Sequence, residues 1–500
     1  MSEPSCIYEN CRVYPLDAAG SRADRICVRD GRIVAEISEG ARRTDLGGRT
    51  VVPGLTDSHN HLVHYGVSVT RAVDLTGCRS VAELQNRLRE FRKLNPEAPW
   101  LLGRRFDQEL FAEHRWPNRS DLDAVSARVP IMVTRLCLHA AVANTAALEP
   151  VRGELSAEQF ETGILTEDAA EAIWRQIPRP TESELETAAV WALGEARKAG
   201  LAGVHCIVHG EDELAVLRKL ADAGRLPVRV QVLCPAEWLD SLASQGIVTG
   251  SGDEWLRVGA LKLYLDGSMG ARTAALKEPF SDNPSTSGQL FVNERELAEA
   301  LVALQRGGFQ AAIHAIGDAA VECALEGIEL AMPDGNRANR LRHRVEHAAQ
   351  MNPKLIAKMA ALNVVASVQP QFITTDFWTW QRVGLDRYRW TYPFRSMLEA
   401  GVVLAMGSDC PVERLHPVEL LDRAVNREPR SLHERLNVEQ ALRAYAHGSA
   451  FAGFEENARG SLETGKLADF AVLSEDPFHT DPACLGELRI EQNVVGGEMQ

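Results

Sequence analysis

The stretch VVPGLTDSHNHLVHYG (residues 51–66) joins an apolar run to an aspartate and three histidines that fall within eight residues. A strand needs no imidazole in order to fold, so these histidines suggest a functional role. His59 and His61 are two residues apart, and side chains alternate between the faces of a strand, so both point to the same side. His64 lies on the loop or first helical turn beyond the strand and is not counted with the pair.

Short apolar runs alternate with helical stretches after this point, as is typical of βα units that build a parallel sheet. Including the opening run there are eight such strands; the other seven are GVHCIV (203–208), VRVQVL (228–233), ALKLYLDG (260–267), QAAIHA (310–315), HRVEHA (343–348), VVASVQP (364–370) and VVLAMGSD (402–409). The pattern predicts an α/β fold, a (β/α)8 barrel of the TIM type, over residues 54–454. Residues 62–185 are too many for one connection and predict an inserted lobe after the first strand.

The two ends of the chain have a different pattern. Residues 6–52 read as short strands and turns, with RDG as a hairpin signal, and residues 460–478 again read as short strands between glycine-containing turns. We therefore expect one small β-sandwich-like domain built from residues 1–53 and 455–500.

Composition and charge exclude several classes of function. The net charge is -15, and no basic cluster stands out, which argues against binding to nucleic acid or to an anionic membrane surface. No apolar run approaches the roughly 20 residues that span a bilayer, and MSEPSCIYEN lacks the features of a secretory signal. The ten cysteines are scattered without a CxxC pair, which predicts reduced thiols and a cytoplasmic protein.

Polar residues that can bind or assist a metal ion lie at or near the ends of the predicted barrel strands. The carboxyl ends of such strands meet at one mouth, where barrels of this type carry their chemistry. A lone histidine at a strand end is more often a satisfied polar residue than a ligand, but six such groups together predict a metal site. They are His59, His61, Lys262, His314, His347 and Asp409.

Several motifs resemble the amidohydrolase (urease-related) superfamily, and they do so along most of the chain. PGLTDSHNHL resembles the signature that carries the first-strand histidine pair. ALKLYLDGSMGARTAAL, AIHAIGDAAV, HRVEHA and MGSDCPVE are similar to the amidohydrolase-3 branch, which includes N-substituted formamide deformylase-like enzymes. The motifs are specific for the superfamily and less so for a substrate.

The resemblance implies a role for each ligand. His59 and His61 would bind the more buried ion together with Asp409, while His314 and His347 would complete the outer one. Lys262 matches a lysine that is carboxylated in many relatives, and its carbamate would bridge two divalent ions, most simply Zn²⁺. The implied reaction is hydrolysis of an amide-type C–N bond by a metal-bridging hydroxide, with Asp409 as general base and then acid.

Fewer features of the sequence bear on the substrate. Eight aromatic residues fall within residues 372–394, and Trp378 and Trp380 are our candidates for contact with an apolar or aromatic group, although simple packing explains the segment equally well. Relatives usually carry R-x-D-G-H where this chain has Arg135 and His139 but Cys137-Leu138 in place of Asp-Gly. Further tentative substrate contacts are Arg135, His139 and His205.

Two smaller points complete the sequence analysis. Cys206 stands where relatives often carry an aspartate. This departure and Cys137-Leu138 bear on the inherited substrate class and leave the predicted ligands untouched. Asp266 and Arg272 are interpreted as a pair that orders a loop.

Two other functions remain open from the sequence. A mononuclear deaminase or cyclic-amidine hydrolase of the same superfamily would use the histidine pair and the aspartate without a bridging lysine, and Lys262 argues against it. A catalytically silent scaffold would bind through the barrel alone, but such relatives usually lose ligands and all six positions are intact here. The partner expected is a small-molecule amide, and a homodimer is expected from the resemblance.

Overall fold

A computed structural model describes residues 5–37, 39–137, 139–332 and 339–499, and the strands of these residues form three sheets. In chain order the strands are β1 (Cys6–Val13), β2 (Ala23–Arg29), β3 (Arg32–Val34), β4 (Arg42–Asp45), β5 (Thr50–Pro53), β6 (Leu55–Asn60), β7 (Ala72–Asp74), β8 (Leu101–Phe106), β9 (Ile131–Arg135), β10 (Ala140–Ala143), β11 (Ile164–Thr166), β12 (Leu201–Ile207), β13 (Arg229–Pro235), β14 (Leu256–Tyr264), β15 (Gln310–Ala315), β16 (Arg344–His347), β17 (Val365–Val368), β18 (Leu404–Met406), β19 (Phe470–Leu473), β20 (Ile490–Val495) and β21 (Glu498–Met499).

The α-helices fill most of the connections between these strands. In chain order they are α1 (Leu62–Arg71), α2 (Val81–Leu94), α3 (Arg119–Asp123), α4 (Thr145–Leu148), α5 (Ala157–Thr162), α6 (Asp168–Trp174), α7 (Glu182–Lys198), α8 (Glu211–Asp222), α9 (Leu239–Ser244), α10 (Glu294–Arg306), α11 (Asp318–Leu330), α12 (Pro353–Ala361), α13 (Phe372–Thr375), α14 (Thr379–Val383), α15 (Leu385–Tyr388), α16 (Phe394–Glu399), α17 (Pro417–Val425), α18 (Val438–Arg443) and α19 (Ser449–Ala452).

The central sheet is the predicted (β/α)8 barrel. Its eight strands run parallel in the order β6, β12, β13, β14, β15, β16, β17 and β18. Two backbone hydrogen bonds join the last strand to the first: the Asp409 N–H donates to the His59 carbonyl and the His61 N–H donates to the Cys410 carbonyl, each at 2.7 Å. The barrel therefore closes at the residues that the sequence singles out as ligands.

The opening apolar run is divided between two sheets, which corrects the prediction of one continuous strand. Residues 50–53 form β5 of the terminal sheet, and the barrel begins with β6 at Leu55. The division falls at Gly54, whose N–H donates to the Asp469 carbonyl at 2.9 Å. A side chain at this position would lie 2.6 Å from Cβ of Ala202, so only glycine allows the chain to pass so close to its neighbours.

Strands from both ends of the chain form the second sheet. Its order is β21, β20, β19, β5, β1, β2 and β3, with β4 paired to β1, and β19 lies antiparallel to β5. The sheet covers a small apolar core of its own that includes Tyr8, Phe470 and Val494. The union of the two chain ends is as expected, while the domain boundaries at residues 53 and 455 remain a prediction.

The large insertion after the first barrel strand is also present. Its strands form a five-stranded sheet in the order β11, β10, β9, β8 and β7. α1 precedes these strands in the sequence and α7 follows them, and the two helices pack together. Gly66 of α1 lies so close to α7 that a Cβ would be 2.1 Å from the Ala188 carbonyl oxygen. Across the described parts of the chain, no helix has the length and apolar character needed to cross a bilayer.

A buried ion pair fixes the terminal sheet to the barrel. Arg229 of β13 donates two hydrogen bonds to the Asp469 carboxylate, at 2.7 and 3.0 Å, and both side chains are about 3% exposed. Burial alone would raise the pKa of Asp469, but the charge and hydrogen bonds of Arg229 outweigh burial and hold the pKa below its usual value. Both groups are therefore charged in the interior, where each depends on the other.

Removing one partner of this pair should destabilise the fold. We expect Asp469→Asn to lower the free energy of unfolding by about 3 kcal/mol, because it leaves the Arg229 charge buried without a counter-ion. The measurement is the midpoint of urea denaturation, followed by tryptophan fluorescence. Glu254→Gln is the matched control, since it breaks the exposed pair with Arg32 and should change stability by less than about 1 kcal/mol. Equal midpoints for the two variants would contradict this account.

Candidate metal centre

The carboxyl ends of the barrel strands enclose a cavity of about 510 Å³, and all six predicted ligands line it. His59 and His61 come from the end of β6 and the residue after it, and Asp409 follows β18. The other three stand on adjacent strands and are Lys262 of β14, His314 of β15 and His347 of β16. The fold thus brings together residues that are up to 350 positions apart in the sequence.

Three of these residues converge closely enough to hold one cation. Ligand atoms of His59, His61 and Asp409 all lie within 4.8 Å of one another. Asp409 Oδ1 is 3.4 Å from Nε2 of His59 and 3.3 Å from Nε2 of His61, yet it is buried and accepts no hydrogen bond from any described residue. A buried carboxylate oxygen without a donor is costly, and a metal ion between these atoms would satisfy it.

The charges around His59 also favour a cation. Burial lowers the pKa of His59, but the Asp409 and Glu346 carboxylates outweigh burial and hold the pKa above its usual value. Glu346 itself accepts a hydrogen bond at His59 Nδ1, at 2.5 Å, so Nε2 remains for a metal ion. Glu346 was not predicted, since it is adjacent to His347 and neighbours in a strand point to opposite faces.

The backbone at the strand end explains why Glu346 and His347 both face the interior. His347 has φ 75° and Ala348 has φ 45°, so the chain leaves the extended conformation there. Asp409 is likewise left-handed, with φ 58°. Non-glycine residues rarely adopt this region, and its occurrence at a cluster of polar side chains is typical of functional sites.

His314 and His347 form a second group in the cavity, with ring centroids 4.5 Å apart. Nε2 of His314 lies 3.0 Å from the Gly267 carbonyl, and Nδ1 of His347 lies 2.8 Å from Gln369 Oε1. With these nitrogens as donors, Nδ1 of His314 and Nε2 of His347 remain for a ligand bond. Burial lowers the pKa of His347 to about 3 and that of His314 well below its usual value, so both rings are neutral, the form that binds metals.

Lys262 is a buried amine without a partner. Its Nζ lies 4.6 Å from the centre of the Tyr264 ring and, in the described chain, meets no hydrogen-bond acceptor. Burial lowers the pKa of Lys262 to about 8, so a substantial neutral fraction exists near neutral pH. The neutral amine is the form that can take up CO2, and a carbamate would replace an unsatisfied nitrogen with oxygen ligands. The donor set therefore fits a metal centre.

The predicted substrate contacts fall into two groups, those that line the cavity or its recess and those that lie away from it. His139 lines the cavity, and its ring is 5.2 Å from that of His314. Burial lowers the pKa of His139, but Glu167, 3.1 Å from Nδ1, outweighs it and raises the pKa to about 9, so the ring is protonated at neutral pH. Arg135 lines a smaller recess of about 40 Å³ that shares His139, His314, His347 and Asp409 with the main cavity.

The remaining candidates lie away from the site. Among the described residues, those lining the main cavity and the recess do not include Trp378, Trp380 or His205. Trp378 packs under Arg135 and Arg382, and Trp380 lies under Arg430, so the packing interpretation of these aromatics accounts for both. His205 is deeper in the barrel, with Nδ1 3.0 Å from Arg344 Nη1.

Some residues near the site depart from the sequence analysis. Asp266 and Arg272 do not pair: Asp266 accepts from the backbone of Ala275, Ile316 and Gly317, while Arg272 binds Asp282. Both order loops, as expected, but with different partners. Cys137 lines both the cavity and the recess, whereas Leu138 lies outside the described residues.

Sequence reasoning missed His209, whose Nε2 is 2.8 Å from Nδ1 of His61. It also set aside His64, which lines the cavity as well. His209 follows β12 by two residues, and its position after a strand end was the available signal. Burial lowers the pKa of His209 well below its usual value, so its ring is neutral and Nε2 can accept a hydrogen bond from the His61 Nδ1–H and orient that ring.

The chain is similar to known proteins along most of its length. The profile of the amidohydrolase family matches residues 43–499. YtcJ of Bacillus subtilis (strain 168) is 30% identical, with 97% of each chain covered, and N-substituted formamide deformylase of Arthrobacter pascens is 28% identical over 98% of this chain and 97% of its own. The crystal structure of an uncharacterized metal-dependent hydrolase from Pyrococcus horikoshii OT3 is 30% identical with a TM-score of 0.81, covering 96% of this chain and 99% of that one.

The support that Glu346 gives to His59 can be tested by metal affinity. Because a carboxylate behind a histidine ligand fixes the ring and raises its basicity, we expect Glu346→Gln to weaken zinc binding about 10- to 100-fold. Competition with a chromogenic chelator measures the affinity. Glu322→Gln, on the exposed pair with Lys277, is the control and should bind zinc as the unmodified protein does. An unchanged affinity in Glu346→Gln would refute the role.

Proposed function

The chain belongs to the amidohydrolase family and is a metal-dependent hydrolase of that superfamily, and on this premise we propose that it cleaves the C–N bond of an N-substituted amide or formamide. The observation that carries the proposal is the buried, unpartnered Lys262 Nζ in the cavity that holds both histidine groups. A lysine at this position is what distinguishes a bridged two-metal site from a site for one ion.

The site is proposed to hold two divalent ions, zinc in the simplest case. His59, His61 and Asp409 would hold one ion, His314 and His347 the other, and carboxylated Lys262 would contact both. Bound there, the ions would supply an activated water and an electrophile for the substrate carbonyl. The neutral rings of His314 and His347 and the anionic Asp409 are already in the protonation states that such ligands require.

Asp409 is the proposed catalytic residue. Burial alone would raise its pKa, but the charge of His59 and the close approach of both histidine rings outweigh burial and hold the pKa well below the usual value. Asp409 is therefore ionised at neutral pH and can accept a proton from the attacking water. Its other role is to return that proton to the departing nitrogen, so that an amine and not an amide anion leaves.

His139 is the proposed partner of the substrate carbonyl oxygen. It is protonated at neutral pH, it stands beside His314 at the cavity wall, and Glu167 holds its Nδ1. The remaining ring nitrogen can donate a hydrogen bond to the oxygen as negative charge develops on it. Arg135 is bound to Asp107 and Gln108, and we assign it to shaping the adjoining recess.

A mononuclear deaminase or cyclic-amidine hydrolase is the second candidate. Among the described residues, ligand atoms of His59, His61 and Asp409 form a close cluster, and this favours it because one ion suffices for that set. The buried Lys262 has no role in such a site, and for this reason we place it second. A binding scaffold without catalysis is the third reading, and the presence of all six ligand residues in one cavity speaks against it.

Three further expectations accompany this function. The partner is a small-molecule amide, and residues Trp174, Tyr264 and Phe291 in the cavity wall would suit an apolar or aromatic group. All ten cysteines lie in the described residues and carry free thiols, which supports a cytoplasmic location. A homodimer remains a prediction.

Metal content distinguishes the candidates. For protein purified with bicarbonate and without chelator, we expect two equivalents of zinc per chain by elemental analysis, and one or none in Lys262→Met. Lys277→Met, at an exposed lysine, should keep two. A single equivalent in both the unmodified protein and Lys262→Met would transfer our assignment to the mononuclear reading.

Activity provides an independent test. N-alkyl and N-aryl formamides should be hydrolysed, with activity lost on chelation and regained with zinc, and Asp409→Asn should lower kcat by at least about 100-fold because the proton acceptor is removed. Rates are followed by the amine released. Activity that persists after complete removal of metal would refute the proposed metal-dependent mechanism. Absence of any turnover with zinc bound would favour the scaffold.

A further inference from the structure

A second cavity, of about 250 Å³, lies between the inserted lobe and the barrel. We name it the Arg105 chamber, and its lining comes from β8 and β9 of the lobe, the segment after α6, and α1 and the start of α8 of the barrel. It shares His64, Trp174 and His209 with the metal cavity, so the two spaces are neighbours across those three side chains. Leu102, Met132, Ile177 and Leu185 give the chamber apolar walls.

Arg105 is the charged residue that most requires a partner there. It is 8% exposed, and its only side-chain hydrogen bond to the described residues runs from Nε to Thr76 Oγ1 at 3.2 Å. Within that same part of the chain, no carboxylate lies within 4 Å of its guanidinium. A guanidinium that is largely buried has lost part of its hydration, and a bound anion would compensate for that loss. An anionic ligand in the chamber would supply what is missing.

The local backbone is built to place this side chain. The pairing of β8 with β9 shifts between Gly103 and Phe106, which is the mark of a β-bulge. Within the bulge Arg105 has φ 66°, a conformation that side-chain-bearing residues rarely adopt. A bulge changes the direction in which a side chain points relative to regular strand alternation. Here that side chain is Arg105, which lines the chamber.

Of the other charged lining residues, the exposed Arg179 has no ion pair with a described residue, while the remaining ones have partners. Arg104 is paired with Asp74 at 2.9 Å, and Arg71 donates to the Pro178 carbonyl at 2.9 Å. The acidic lining residues serve the backbone at the start of α8: Asp212 accepts from the Glu213 N–H and Glu213 accepts from the His209 N–H, both at 3.0 Å. Arg105 is therefore the buried arginine of the lining that has no carboxylate partner among the described residues, whereas Arg179 is exposed to water.

We propose that the Arg105 chamber binds a carboxylate at the end of an apolar chain, and that this carboxylate belongs to the amide substrate. The second part rests on the proposed function, since it places the scissile amide in the adjoining metal cavity. Arg105 would bind the carboxylate through the two parallel hydrogen bonds that guanidinium allows, and Leu102, Met132 and Trp174 would contact the chain. The substrate class is thus an N-acylated, or N-formylated, amino acid with an extended aliphatic or aryl spacer.

A matched pair of substrates tests the proposal. N-formyl-6-aminohexanoate and N-hexylformamide have similar length and differ in the terminal carboxylate. We expect kcat/KM to favour the acid about 10- to 100-fold, mainly through KM, since a charge-assisted hydrogen-bonded pair contributes on that scale. Arg105→Met should abolish the preference and Arg105→Lys should keep part of it. Arg128→Met, at an exposed arginine of the same lobe, is the control and should retain the preference.

Equal kcat/KM values for the two substrates, or a preference that survives in Arg105→Met, would overturn the inference. A direct binding measurement separates it from the proposed function. By calorimetry, octanoate should bind about 10- to 100-fold more weakly to Arg105→Met than to the unmodified protein and the Arg128→Met control, with or without chelator.

The outcomes of the binding measurement are distinct. Octanoate binding that is lost on chelation and unchanged in Arg105→Met would place the carboxylate on the metal ligands and refute the chamber. Binding that depends on Arg105, without hydrolysis of either formamide, would refute the proposed function and leave the carboxylate site in place.

Discussion

The two backbone hydrogen bonds that close the barrel, between Asp409 and His59 and between His61 and Cys410, are the constraint on which the site depends. They fix the last strand against the first, and so they place a carboxylate beside two imidazoles that are far away in sequence. The same register sets the positions of Lys262, His314 and His347 on the strands between them. An open sheet with these residues would leave its first and last strands apart, and the three-ligand cluster would not exist.

Buried charged side chains also hold the site residues in position. Arg344 donates hydrogen bonds to both oxygens of Glu346, and Glu346 in turn holds His59. Burial would raise the pKa of Glu346, but Arg344 and His59 outweigh it and hold the pKa well below its usual value. A second ionised carboxylate, Asp409, faces the other side of His59. Two ionised carboxylates therefore flank His59, and a bound cation would satisfy the Asp409 oxygen that accepts no hydrogen bond from a described residue.

Much of this arrangement could be predicted from the sequence, and the limits have physical causes. The eight strands followed from apolar runs, and the six residues that line one cavity followed from polar side chains at strand ends. Glu346 was missed because strand alternation sends it away from His347, and only the left-handed backbone at His347 reverses that. His205 lies on a predicted strand. Its ring is buried beside Arg344 inside the barrel, a contact that the strand pattern does not predict. The partner of Arg272 is Asp282, which lies in a loop, and no sequence pattern predicts that these two residues are in contact.

The terminal sheet has a consequence for how the protein is made. β5 pairs with β1 from its own end of the chain and with β19 from the other, so one of its edges waits for a strand that is synthesised after the whole barrel. On the ribosome, the barrel and lobe emerge while that edge remains unpaired, and unpaired strand edges are where nascent chains associate wrongly. The pairing of β5 with β19 is therefore formed only after the barrel strands have been synthesised.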